Sequence, residues 1–318
     1  MNRIPSASLR RLLPGPAVLM YGVCALTWLV AGLAMPGFAD PAHLRYVLEL
    51  SAMLGIVAAG QTLVIITGGI DLSAGVMITV AAVLGPLLTH TLGVGGVGAV
   101  ALMLAMTTLL GMLNGAGVAW LGVHPLVMTL AMATMLTGVL LLITQGSVAA
   151  VDNPVVIWMA NGHIGGVTVS ILIWAVIAAA TIFLLKRTVL GVWAYAIGTS
   201  PRASEFSAVN TSLTQLTVYG ASGLTAGLTG LLLAGNTMQG YIGVGDPYLM
   251  LSIAAVVIGG TSILGGLGGY VGTIAGSILL TTITSLITVV NASAGWRNIF
   301  LGLLVLLLLA LYARESSR

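Results

Sequence analysis

The chain has 318 residues, of which 58% are hydrophobic and only 5% charged, with ten Lys plus Arg against seven Asp plus Glu. A water-soluble domain carries about 25% charged residues to solvate its surface, so this composition excludes a soluble globule and makes lipid the solvent for most of the chain. The basic residues form no patch with interleaved aromatics and so argue against a nucleic-acid partner. They stand instead at the ends of apolar runs, where they orient a membrane protein.

Residues 1–16 carry Arg3, Arg10, Arg11 and Pro14 ahead of an apolar run that contains Cys24, the one cysteine. This pattern resembles a signal peptide, but the run from 17 to 35 is longer than a typical signal core, which predicts an uncleaved anchor behind a cytoplasmic tail of about 1–16. A helix needs about 20 apolar residues to cross the hydrocarbon. Runs of that kind fall at roughly 17–35, 46–67, 73–89, 96–119 and 125–145, then 167–186, 213–235, 249–264, 268–290 and 297–313. The chain therefore reads as an all-α, polytopic membrane protein of about ten transmembrane helices. Eight is the alternative count, because 73–89 and 249–264 are short.

Arg3, Arg10 and Arg11 place the N-terminus in the cytoplasm, and ten spans then place Lys186, Arg187, Arg202, Arg314 and Arg318 there too, so both termini are expected to be cytoplasmic. Arg45 and Arg297 are the exceptions, with Arg45 expected to pair with Glu49 one helical turn on. No linker divides residues 1–318, which read as one membrane domain. Gly68-Gly69 and Gly259-Gly260 form a weak internal echo of the kind that duplicated transporters leave.

Enzyme readings fail on inventory. A P-loop needs a lysine after its glycine-rich turn, and the single lysine, Lys186, follows Leu184-Leu185. Zinc needs clustered ligands, whereas His43, His90, His124 and His163 are scattered. Gly220-Ala221-Ser222-Gly223 matches the GxSG of intramembrane serine proteases, but no histidine follows Ser222 to serve as its base; small residues that let helices approach closely are the better reading. Ion-driven carriers place charges inside spans, and here nearly every charge falls at a span end or in a loop. A path without fixed charge suits a neutral, polyhydroxylated solute and leaves the energy to come from elsewhere.

Three stretches carry a family resemblance. The first is Thr67-Gly-Gly-Ile-Asp-Leu-Ser-Ala-Gly75. The second runs from Gly111-Met-Leu-Asn-Gly115 to His124-Pro-Leu-Val-Met-Thr-Leu130. The third is Ala196-Ile-Gly-Thr-Ser-Pro-Arg-Ala-Ser-Glu-Phe-Ser-Ala-Val-Asn210, followed by Tyr219-x-x-Ser-Gly-Leu224 and Ala255-Val-Val-Ile-Gly-Gly-Thr261. In that order they resemble the ribose/xylose/galactoside-type branch of ATP-binding-cassette importer permeases. Thr199-Ser200 departs from that pattern, where Gly-Asn is usual.

The resemblance implies the transmembrane subunit of a bacterial inner-membrane importer for a sugar or sugar-like solute. It implies a second permease copy or a paralogue, a separate ATPase subunit that binds ATP and Mg, and a periplasmic solute-binding protein, with no cofactor in this chain. A permease for branched-chain amino acids or nucleosides, or a secondary carrier, is the alternative. The loop at about 187–212 is expected to couple to the ATPase through Gly198, Ser200, Pro201, Arg202, Ala203 and Glu205. Within it, Gly198 and Pro201 are expected to break the chain into short pieces, and a short helix from about Pro201 to Val209 would carry proline in its first turn and Ser200 as its N-cap.

Physical reading supplies the candidate pathway. Gly68 and Gly69 permit a tight break between helices, and Asp71 or Ser73 can cap the next helix or contact substrate. Asn114 must find a hydrogen bond inside an apolar span, and Pro125 suits a helix start. Gln61, Thr129, Asn236 and Gln239 are further polar residues on apolar runs or at their ends, any of which could contact a sugar hydroxyl.

Overall fold

The computed structural model describes residues 16–35, 37–290 and 295, 296, 299, 302 and 303. The tail before Pro16, most of the span expected at 297–313, and Arg297, Arg314 and Arg318 lie outside the described residues. Each span expected before residue 290 overlaps a helix: α1 (Pro16–Ala34), α2 (Pro41–Ile66), α3 (Ala74–Leu92), α4 (Gly96–Trp120), α5 (Pro125–Thr144), α7 (Val169–Arg187), α10 (Thr211–Thr237), α11 (Asp246–Ile258) and α12 (Tyr270–Val289), although the one expected at 249–264 stops at Ile258, where Gly259-Gly260 end it. Of these, α2, α4, α5, α7, α10 and α12 are long and apolar enough to cross a membrane, whereas α1 and α3 count only as shorter apolar stretches, Val18–Ala34 and Ala74–Thr89, and α11 has 13 residues. Helices are what such a sequence must form, since lipid offers the backbone no hydrogen-bond partner.

Three short helices fill the connections: α6 (Pro154–Asn161), α8 (Val189–Thr199) and α9 (Pro201–Phe206). Proline in the first turn starts α2, α5, α6, α9 and α11, where its missing N–H is no loss and its fixed φ is already helical. Two-residue strands close one end of the bundle. Strand β1 (Ala149–Ala150) pairs antiparallel with β4 (Gln239–Gly240), and β2 (His163–Ile164) pairs with β3 (Val167–Thr168).

The bundle is built around α2 and α10, whose apolar windows are 89% and 78% buried, against 22–28% for α4, α5 and α7. Glycine makes the central packing so close that backbones touch. A Cβ at Gly111 of α4 would lie 2.2 Å from the Tyr219 carbonyl oxygen of α10, and one at Gly223 would lie 2.1 Å from that of Thr107. The GxSG run is thus a helix-packing surface of the small-residue kind. Many hydroxyls on these helices, such as Thr62 to Ala58 O at 2.6 Å and Ser277 to Thr273 O at 2.9 Å, bond the preceding turn, which hides their polarity within their own helix.

Both Gly-Gly pairs end a helix in the same way. After α2, Gly68 takes φ +80°, its N–H donates to Ile65 O, and the Gly69 N–H reaches Val64 O. After α11, Gly260 takes φ +88°, its N–H donates to Val257 O, and the Thr261 N–H reaches Val256 O. Each is a Schellman motif with the left-handed residue just past the cap. The echo in the sequence is therefore a repeated turn, shifted by one residue: Thr67-Gly68-Gly69 corresponds to Gly259-Gly260-Thr261.

One expected contact is replaced. Glu49 accepts a hydrogen bond from the Thr168 hydroxyl at the start of α7, and among the described residues it forms no ion pair with Arg45.

Candidate functional site: a polar cluster at a helix break

The break after α2 turns the chain into the bundle and delivers Asp71 to its interior, fully buried. One carboxylate oxygen, Oδ1, accepts from the Ser73 N–H at 2.9 Å and the Ser73 hydroxyl at 2.6 Å; the other accepts from the Ser222 hydroxyl of α10 at 2.7 Å. Having given its proton to Asp71, the Ser73 oxygen must act as acceptor, and it receives Asn114 Nδ2 of α4 at 2.8 Å. That requirement fixes which way the Asn114 amide points. Thr129, one turn into α5, accepts from the Leu72 N–H at 3.1 Å and lies within bonding distance of the Ile70 and Pro125 carbonyls.

Four helices are thereby tied to a single turn. The expectation that Asp71 or Ser73 caps α3 needs correcting in detail. Ser73 occupies the N-cap position but its side chain makes no capping bond, because Asp71 has already engaged its hydroxyl. Asp71 satisfies an amide at the entry to α3 and spends its other oxygen on α10, so it joins helices as well as ending one.

Several buried atoms in this region have no protein partner: Asn114 Oδ1, the Tyr219 hydroxyl, and both amide atoms of Gln61. The Tyr219 hydroxyl lies against the break, since a Cβ at Gly69 would come within 2.5 Å of it. Gln61 follows Gly60, where a Cβ would meet Ser222 Cα at 2.6 Å. Buried polar groups of native proteins are nearly always satisfied, so this set is one that water or a hydroxylated solute would complete. A lone carboxylate is too weak a base to activate Ser222, and no histidine stands in the cluster, so nucleophilic catalysis is not its chemistry.

The seven pathway candidates therefore separate. Asp71, Ser73, Asn114 and Thr129 converge on the break, with Gln61 beside it on α2. Asn236 and Gln239 do not join them. They are exposed at the far end of α10, about 20 Å from Ser222 along the helix axis, where Asn236 bonds Asn161 at 3.2 Å and Gln239 pairs with Ala150 in the β1–β4 ribbon. Apolar-run position alone could not tell the two ends of α10 apart. Tyr219 was legible only as part of a motif and Ser222 only as one of a run of small packing residues, and neither was placed on the pathway.

The coupling candidates gather at the other end of the bundle. The loop expected at 187–212 is two helices, α8 and α9. Ser200 is the N-cap of α9, accepting from the Ala203 N–H at 3.4 Å, and Pro201 stands in its first turn; the helix ends at Phe206, short of Val209. Pro201, Arg202, Ala203 and Glu205 are exposed, as is Phe206 at 91%. Gly198 differs from expectation: it lies inside α8 and breaks nothing. It is glycine because α8 rests on other backbone there, with a Cβ meeting Ile66 O at 1.9 Å and Gly266 N at 2.4 Å.

Residues 44–309 match the family described as branched-chain amino acid transport system / permease component. The chain is 32% identical to the ribose import permease protein RbsC of Escherichia coli (strain K12), over 86% of each chain. It is likewise 32% identical to the fructose import permease protein FruF of Bifidobacterium longum, over 87% of this chain and 78% of that one. A probable ABC transporter permease protein of Sinorhizobium fredii, y4mJ, is 30% identical over 93% of this chain and 89% of its own. No solved structure matches the chain.

Proposed function

Since the chain belongs to the branched-chain amino acid transport system / permease component family, we propose that it is the transmembrane subunit of an ABC importer that carries a sugar or sugar-like solute across the inner membrane. The observation that carries the reading is the match, over most of the chain, to permeases named for ribose and fructose import. The polar cluster fits the same class of cargo. Its free groups are two amides and a phenol hydroxyl, which pair with sugar hydroxyls, and its one carboxyl group, Asp71, is already engaged by the hydroxyls of Ser73 and Ser222. An amino acid would bring a carboxylate that asks for a cation the cluster does not hold.

In this reading the chain makes about ten spans with both termini in the cytoplasm. Helices α8 and α9 meet a separate ATPase subunit, which binds ATP and Mg, and the β1–β4 end faces a periplasmic solute-binding protein. The apolar outer faces of α4 and α5 meet lipid and a second permease copy or paralogue. ATP binding shifts the assembly between inward- and outward-open populations. Gln61, Asp71, Ser73, Asn114 and Thr129 border the path.

The test is uptake by proteoliposomes containing this chain, its ATPase and its binding protein, with ATP enclosed on the ATPase side. Labelled ribose and fructose are offered beside labelled leucine. ATP-dependent uptake of a sugar and none of leucine is the expected result. Uptake of leucine alone would move the chain to the amino-acid branch, and uptake by the chain without ATPase would make it a secondary carrier. The chain alone, lacking a P-loop lysine, is expected to hydrolyse no ATP.

A further inference from the structure

A helix that ends in a Schellman motif has its third- and second-last carbonyls satisfied, but its last carbonyl is left open. In α2 that open carbonyl is Ile66 O. It is taken by the Gly266 N–H at 2.9 Å, from the glycine-rich loop that joins α11 to α12, two hundred residues further along.

The same carbonyl is the surface on which α8 sits. Gly198 is in backbone contact with both Ile66 and Gly266, and a Cβ on Gly265 would lie 2.7 Å from the Gly68 nitrogen and 3.0 Å from Gly198 Cα. A Cβ on Gly266 would lie 2.5 Å from the Thr199 hydroxyl. Tyr195 of α8 adds a hydrogen bond to Gly268 O at 2.9 Å. Three segments thus meet largely backbone against backbone: the end of α2, the last turn of α8, and the 259–269 loop.

We propose that Gly266 is a positioning residue for transport, the link through which α8–α9 acts on the polar cluster. The proposal rests on the reading of α8–α9 as the ATPase-facing element. Backbone contacts of this kind have no rotamers to absorb a displacement, so a shift of α8 must move Ile66. The chain then has only Thr67 to Ile70 before Asp71, whose bonds to Ser73 and Ser222 pass the shift to α3 and α10. Gly266 holds the second break against the first, so both turns move with α8 and neither slips past it. A hydrogen bond donated from a remote loop to the open end of α2 is what keeps the three together.

Gly266 has φ +73°, so an alanine there is strained as well as driven against Thr199. The experiment is Gly266→Ala in the full transporter with its ATPase and binding protein. The substitution lies off α9, so the ATPase is expected to co-purify and to hydrolyse ATP as in wild type, while solute uptake falls by about tenfold or more. Transport and hydrolysis both near wild type would overturn the link. Should the variant not assemble, the wild-type complex decides. Amide hydrogen exchange of the 262–269 segment is expected to differ between the nucleotide-free complex and one locked with a non-hydrolysable ATP analogue; equal exchange overturns the link. Glu205→Arg, on the exposed face of α9, keeps the two readings apart. If it leaves ATPase binding intact the docking assignment falls, whereas a docked, hydrolysing but non-transporting Gly266→Ala complex speaks for the link itself.

Discussion

Asp71 and Ser222, 151 positions apart in the chain, are joined by a 2.7 Å hydrogen bond between two fully packed elements of the bundle. The contact sets the register of α10 against the break after α2, because Gly60 and Gly223 leave no room on either side of Ser222 for another arrangement.

That bond has a measurable coupling. Asp71→Ala leaves the hydroxyls of Ser73 and Ser222 unsatisfied in the interior, at a cost of about 1–3 kcal/mol for each buried group. Ser222→Ala alone removes one donor and costs less. In a double-mutant cycle of detergent-solubilised protein, Asp71→Ala with Ser222→Ala should show an interaction of about 0.6–1.7 kcal/mol. Additive effects would mean that the two residues do not interact.

The close contact of α4 and α10 predicts a different failure. Gly223→Val inserts three carbons where a single Cβ would already be 2.1 Å from the Thr107 carbonyl. Overpacking of this kind costs about 1–3 kcal/mol or more. The variant should give a lower unfolding midpoint and lower membrane yield than Gly138→Val, whose Cβ position has open space. Equal yields would contradict the backbone contact.

For α9 the expected anchor is Phe206, a large apolar side chain 91% exposed at the end of the helix. Phe206→Ala should weaken ATPase co-purification by about tenfold, and a cysteine at Ala203 should cross-link to the ATPase. Unchanged binding with no cross-link would reduce α8–α9 to a connector.

Orientation can be read by labelling. Asp152 and Asp246 are exposed near the β1–β4 end, and cysteines placed there should react with a membrane-impermeant thiol reagent on intact cells. Cysteines near Arg10 and Arg314 should not. Labelling at one terminus alone would require an odd number of spans.

The helices were legible because lipid leaves a chain few choices, and apolar length with Gly, Pro and charge at the edges marks where each one starts and stops. Ser200 and Pro201 announced α9 in the same local way. The polar cluster was half legible. Asp71, Ser73, Asn114 and Thr129 stood out as polar residues in apolar surroundings, but Ser222 resembled any small packing residue, and nothing local separates Gln61 from Asn236 or Gln239. Those distinctions depend on which ends of distant helices meet. The junction of Gly198, Ile66 and Gly266 was not legible at all, since glycines chosen for backbone contact look like glycines chosen for a turn, and Gly198 was indeed expected to make one.

Helix α2 meets the membrane in an unusual way for so apolar a segment, since 89% of its hydrophobic window is covered by protein. Mismatch between helix length and bilayer thickness acts through lipid-facing side chains, at fractions of a kcal/mol per Å. Thinning or thickening the bilayer therefore presses first on α4, α5 and α7, which can tilt, while α2 stands as a mast sheltered by its neighbours. The height of Asp71 within the membrane is set by that mast, so the site should keep its depth in bilayers of different composition even as the outer ring of helices adjusts around it.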